Sequence, residues 1–166
     1  MEQPHQFCTF YLNKLFFGVE LQKVQEVMRY LELTAIPLAP DVVSGLMNLR
    51  GQIVTAVDLR RRLELPNRPD GMLPMNVVIR SADGAVSLLV DEIGDVVEVD
   101  DDSFERPPET LQGKVREVIL GVHKLDKHLL HVLDTDKACE TAPILEAVAA
   151  KVSNPAIFHP PGLSNS

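Results

Sequence analysis

The stretch 48–63, "NLRGQIVTAVDLRRRL", decides how this chain is read. "QIVTAV" is an apolar, β-branched run of strand length, and "LMNL" just before it is a second strand. Arg50-Gly51 reverses the chain between them, with the glycine relaxing the backbone at the turn. "DLRRRLEL" then reads as one or two helical turns, pinned to a core by Leu59 and Leu63 four residues apart and stopped at Pro66. Strand, tight turn, strand and a short helix point to a β domain. The same stretch packs Arg50, Arg60, Arg61 and Arg62 into a chain that carries 24 acidic and 16 basic residues, net charge -8. Nucleic-acid contact, a phosphate site, a membrane face, a protein-docking surface and plain solvated charge are the readings open to that cluster.

Working outward, the same short-strand grammar continues on both sides. "FCTFYL" (7–12) and "LFFGVEL" (15–21) flank Asn13-Lys14 as a hairpin. "QKVQEVMRY" places Leu21, Val24 and Val27/Met28 at helical spacing and predicts two helical turns. "LELTAI" (31–36) alternates as a half-buried strand should. "DVVSG" (41–45) reads as a brief helical turn closed by Gly45. The segment "PNRPDGMLP" (66–74) is a turn-rich linker and the expected internal subdomain boundary. Beyond it come "MNVVIR", the hairpin signal Asp83-Gly84, "AVSLLV" and "IGDVVEV". After a Pro-containing acidic stretch follow "VREVILGVHKL" and "HLLHVL". About ten strands, five on each side of the linker, favour barrels or a sandwich; each half is the size of a small barrel, and the two are expected to share an apolar interface because neither has enough core to be very stable alone. Residues 139–166 are expected to form a C-terminal helix and a mobile tail.

Composition removes several function classes. No apolar run approaches the roughly 18 residues of a membrane span, and the N-terminus lacks the basic-then-apolar order of a signal peptide. A cytoplasmic protein is the expectation. Cys8 and Cys139, the two cysteines present, are expected as free thiols. No Gly-rich phosphate loop occurs. Ser44 lies in "VVSGL", which is not a nucleophile elbow. His128 and His131 would face opposite sides of a strand, which is wrong for joint metal ligation, so they and His123 read as surface or half-buried side chains. No metal and no cofactor is expected. The acids between Asp91 and Glu105 lack the ligand order of a calcium loop and read as a solvated strand edge. On a helical turn, Arg60, Arg61 and Arg62 fan out in steps of about 100° and form no flat stripe, so they read as a solvated face. Arg50, presented on a rigid turn, is the better anchor for a partner.

"FGVELQKVQEVMRY", "VSGLMNLRGQIVTAVDLRRRL", "LLVDEIGDVVEV" and "ILGVHKLDKHLLHVLD" occur in an order that resembles the CheW family over about residues 6–138. That resemblance implies two SH3-like five-stranded β-barrel subdomains, which can exchange terminal strands across the 66–74 boundary, and no catalysis. It also implies an adaptor that binds the cytoplasmic hairpin tip of methyl-accepting chemoreceptors and the regulatory domain of the histidine kinase CheA at membrane-associated arrays. By the same resemblance Val24, Glu26 and Arg50 match receptor or array contacts. Gly45, Asn48 and Gly51 match positions that shape the interface, and Asp58 matches a structural position that starts the next turn. Arg60, Arg61 and Arg62 are candidate kinase contacts. The alternative from another class is a small-barrel nucleic-acid binder.

Overall fold

The computed structural model describes residues 4–81 and 84–140. The expected C-terminal helix and tail beyond Glu140 lie outside the described residues, as does Asp83 of the hairpin signal. The fold is mainly β, with eleven strands among the described residues. β1 (His5–Leu12) and β2 (Leu15–Glu20) form the expected hairpin, with Asn13 at φ +58° in its turn. β3 (Val24–Met28), β4 (Val43–Leu49) and β5 (Gln52–Asp58) follow, then the short helix α1 (Leu59–Arg62). β6 (Met75–Ser81), β7 (Gly84–Val90) and β8 (Glu92–Val99) come next. The two-residue β9 (Phe104–Glu105), helix α2 (Lys114–Val118), β10 (Ile119–Lys124), β11 (Leu129–Leu133) and helix α3 (Thr135–Ala138) complete the described chain.

These strands build a six-stranded sheet in the order β8-β1-β2-β11-β10-β9 and a five-stranded sheet in the order β3-β6-β7-β5-β4. The 66–74 linker joins α1 to β6 inside the five-stranded sheet. The chain changes sheets elsewhere, between β2 and β3 and again at Asp91 between β7 and β8. Each sheet is therefore assembled from both halves of the sequence. One continuous core joins them: Phe10, Leu12, Phe17 and Val19 of the six-stranded sheet pack with Val57, Val77, Ile79 and Leu88 of the five-stranded one. Smaller clusters lie within each sheet, around Phe7, Phe16 and Leu130 in one and Met47, Val54 and Val78 in the other.

Four local expectations are corrected; in the first, the start of the strand expected over "VREVILGVHKL" lies in α2 (Lys114–Val118), and β10 begins only at Ile119. The helix expected in "QKVQEVMRY" is a single 3-10 turn over Leu21–Lys23 followed by strand β3, which pairs with β6. The apolar spacing suits either form, and the free edge of β6 supplies ladder hydrogen bonds that favour the strand for β-branched Val24 and Val27. "LELTAI" is not a strand. Its one backbone bridge to the sheet is at Thr34, whose amide and carbonyl exchange 2.8 Å bonds with Leu46, while Leu31 and Leu33 pack on the Met47 cluster. "DVVSG" contributes one turn, Val43 N–H to Pro40 O at 3.0 Å, and then enters β4 directly, because Val43 pairs with Val57.

Gly45 makes the Thr34 contact possible. Its φ is +149°, and a Cβ there would lie 2.6 Å from the Thr34 carbonyl oxygen. Histidine placement also differs from expectation: His123 and His131 are buried. His131 Nδ1 sits 2.8 Å from the Phe16 carbonyl, while His128 packs edge-on against the Phe16 ring. Both cysteines are buried free thiols, and burial pushes Cys139 up to about 12. No helix among the described residues is long and apolar enough to cross a membrane.

Candidate docking site

Strands β4 and β5 are joined by two residues, Arg50 at φ +51° and Gly51 at φ +86°. Two consecutive positive φ angles define the primed hairpin turn whose twist matches that of the flanking strands. Arginine is an uncommon residue at the first of these positions, since a side chain there costs backbone energy that glycine avoids. Asn48 stabilises the turn by accepting a 2.8 Å bond from the Gly51 N–H. Gly51 has open space around its Cα, so its role lies in backbone angle rather than close packing.

The turn holds the Arg50 guanidinium against Glu26 on β3. Nη1 donates to Oε2 at 2.7 Å and Nη2 to Oε1 at 2.5 Å, a two-pronged pair. The hydrogen bonds from Arg50 hold the Glu26 carboxyl below its ordinary range, and those to Glu26 raise Arg50 in turn. β3 and β4 are the two outer strands of their sheet, so this pair spans the sheet's open seam. Beside it Gln25 Nε2 on β3 donates to Gln52 Oε1 at the start of β5, at 3.2 Å. Arg50 remains accessible, its side chain 71% exposed. Val24 is half-buried and packs on the shared core, so its apolar area is divided between the fold and the surface. Beside these residues Val27 and Ile53 stand exposed, Ile53 by 62%. The sequence reading did not single out Ile53, and it took Val27 only as part of the apolar helical spacing.

The arginine triplet separates into three different environments. Arg60, expected in solvent and as a candidate kinase contact, is buried. Its Nε donates to both oxygens of Asp91, at 2.9 and 3.1 Å, its Nη2 to Oδ2 at 2.5 Å, and its Nη1 to Pro66 O at 2.9 Å. The side chains are only 7% and 4% exposed, so Arg60 cannot touch a partner. Arg61 is exposed and donates to Asp41 O at 3.0 Å. Arg62 is half-buried and donates to the Glu140 carbonyl at 2.6 Å. Asp58 starts the helical turn, accepting from Arg60 N–H at 3.1 Å.

Asp91, read with its neighbours as part of a solvated acidic edge, is instead a buried counter-ion. It also accepts from Arg68 Nε at 2.9 Å and from the Asn13 N–H at 2.7 Å. Arg68 in turn reaches Asp58 Oδ1 and Leu89 O, each at 2.8 Å. Burial alone would raise the Asp91 pKa, but the Arg60 hydrogen bonds, the Asn13 amide and both positive charges outweigh it and hold the carboxyl below its ordinary value. The unfolded chain therefore binds this proton more readily than the folded one. The stability so gained is complete above the ordinary Asp range and is lost as pH falls through the lower folded value. Chemical denaturation at descending pH is expected to show this acid-side loss in the wild type and a flatter profile in Asp91→Asn.

Two β-sheets around one core, with an ion-paired arginine exposed on a rigid turn, make this a small β-type domain. Among the described residues no group of three or more His, Cys, Asp or Glu side chains is placed to hold a metal. The model of the CheW-like domain matches residues 6–142. The chain is 29% identical over 140 residues to the chemotaxis protein CheW of Treponema pallidum, covering 82% of each chain. It is 27% identical over 143 residues to that of Bacillus subtilis, covering 86% of this chain and 92% of the relative. The crystal structure of scaffolding protein TtCheW from Thermoanaerobacter tengcongensis superposes with a TM-score of 0.72 at 25% identity, over 79% of this chain and 89% of that one. The chain belongs to the CheW-like family, whose named relatives are chemotaxis proteins.

Proposed function

We propose that this protein is a non-enzymatic adaptor that couples chemoreceptors to the histidine kinase CheA in the cytoplasm, at membrane-associated arrays. The observation that carries the reading is the exposed Arg50 held on a primed turn and braced by Glu26, within the family's motif order. A receptor tip is a helical hairpin, and a helix is recognised by apolar area flanked by polar groups that set register. Val24, Val27 and Ile53 supply apolar surface on β3 and β5, and Arg50 with Glu26 supplies the charged register. Gly45, Asn48 and Gly51 act through the backbone that presents them. Of the triplet, Arg61 and Arg62 remain candidates for the kinase side.

Arg50→Ala is expected to weaken binding to a receptor-tip peptide hairpin by about 1–3 kcal/mol while leaving the far-ultraviolet circular dichroism spectrum intact. Equal affinity for mutant and wild type in calorimetry would remove Arg50 from the site. Sedimentation of the protein with CheA and receptor together tests the coupling itself, and no association with either partner at micromolar concentration would overturn it. The nucleic-acid alternative loses its footing in the arginine positions. Arg60 is buried on Asp91, Arg50 is paired with Glu26, and no continuous basic surface remains in this stretch.

A further inference from the structure

We infer that the buried cluster of Arg60, Asp91, Arg68 and Asp58 sets the angle between the two sheets, and thereby acts as a positioning device for the surfaces they carry. The apolar core holds the sheets together, but burial of aliphatic area is non-directional and tolerates sliding. Hydrogen-bonded charges are directional, and these four, with the Asn13 amide, tie segments of the five-stranded sheet to the β1–β2 turn of the six-stranded one. Asp91 is the single residue between the end of β7 in the five-stranded sheet and the start of β8 in the six-stranded sheet. Its carboxylate accepts the Asn13 amide from the β1–β2 turn of the six-stranded sheet. From the other side it accepts Arg60, carried on α1 directly after β5 of the five-stranded sheet. Arg68, in the linker to β6, adds a third donor and ties Asp58 and the Leu89 carbonyl of β7 into the same cluster.

All four side chains are largely withdrawn from water: Arg68 is 9% exposed and Asp58 13%. Each carboxylate accepts more than one donor, and a shift between the sheets would pull Asp91 away either from the Asn13 amide or from the two arginines. A buried ionic group is a weak source of net stability compared with an apolar replacement of the same size, and its best-attested use is in specifying one arrangement over its competitors. The placement of this cluster at the crossing between sheets fits that use.

The test separates orientation from stability. Nitroxide labels at Ile53→Cys on β5 and Leu120→Cys on β10, both exposed in the native fold, report one distance across the two sheets by electron–electron double resonance. Native Cys8 and Cys139 are buried with raised thiol pKa values, so they compete poorly for the label. Asp91→Asn is expected to shift and broaden the distance distribution while the circular dichroism spectrum stays native. The double variant Arg60→Met/Asp91→Leu removes the charges and refills the space with apolar atoms. It is expected to regain stability yet keep the broad distribution. A distribution as narrow as wild type in the double variant would show that packing alone sets the angle and would overturn the inference, whatever the single variant does.

Discussion

Asp91→Ala is expected to lower the unfolding free energy by about 3–5 kcal/mol, because it leaves buried cations without their counter-ion. Arg60 would keep a bond to the Pro66 carbonyl, and Arg68 would keep Asp58 and Leu89, so neither guanidinium is free to swing into water without breaking other contacts. The Asn13 amide in the β1–β2 turn would lose its acceptor as well. A domain of this size has only about 5–15 kcal/mol in hand, so the variant is expected to be partly unfolded at physiological temperature. Urea denaturation followed by circular dichroism measures the loss. A midpoint within error of wild type would mean that water reaches the cluster and solvates the arginines.

Gly45→Ala is the second large effect, expected to cost about 2–4 kcal/mol from backbone strain combined with overpacking. A φ of +149° is one that residues with a side chain rarely adopt, and the added methyl would press on the Thr34 carbonyl carbon as well as its oxygen. The obstacle is backbone, so no rotamer change relieves it. The chain over 31–36 would have to leave β4, losing both bonds between Thr34 and Leu46. Thermal unfolding should show the drop, and faster amide exchange at Thr34 and Leu46 should show where it arises. A methyl at Gly51 is a useful contrast, since nothing lies within 4 Å of it and only the positive φ opposes the change. The Gly51→Ala variant is expected to lose about 1 kcal/mol.

Part of this molecule could be read directly from residue order. Period-two alternation and paired turn residues placed β1, β2, β4, β5 and most later strands, since these depend on chemistry within a few positions. The same local chemistry marked Arg50-Gly51 as a reversal, and the motif order around it identified the family. Arg50's bidentate grip on Glu26 was not legible, because the two residues are 24 positions apart and meet only when the five-stranded sheet curls its outer strands together.

Where reading failed, the deciding contact was distant. The 21–28 segment carries an apolar spacing compatible with helix or strand, and the open edge of β6, some fifty residues on, chose the strand. Asp91 sits in an acidic run that looks solvent-facing, and Arg60 sits among arginines that look alike. Their 31-residue separation carries no periodicity that pairs them. Sequence alone determined that this is a β-rich, CheW-like domain with a presented arginine, because strands, turns and motifs are written in neighbouring residues. Only the tertiary structure decided which charges are buried and which are presented, because a charge is desolvated by what packs over it, and that comes from the rest of the chain.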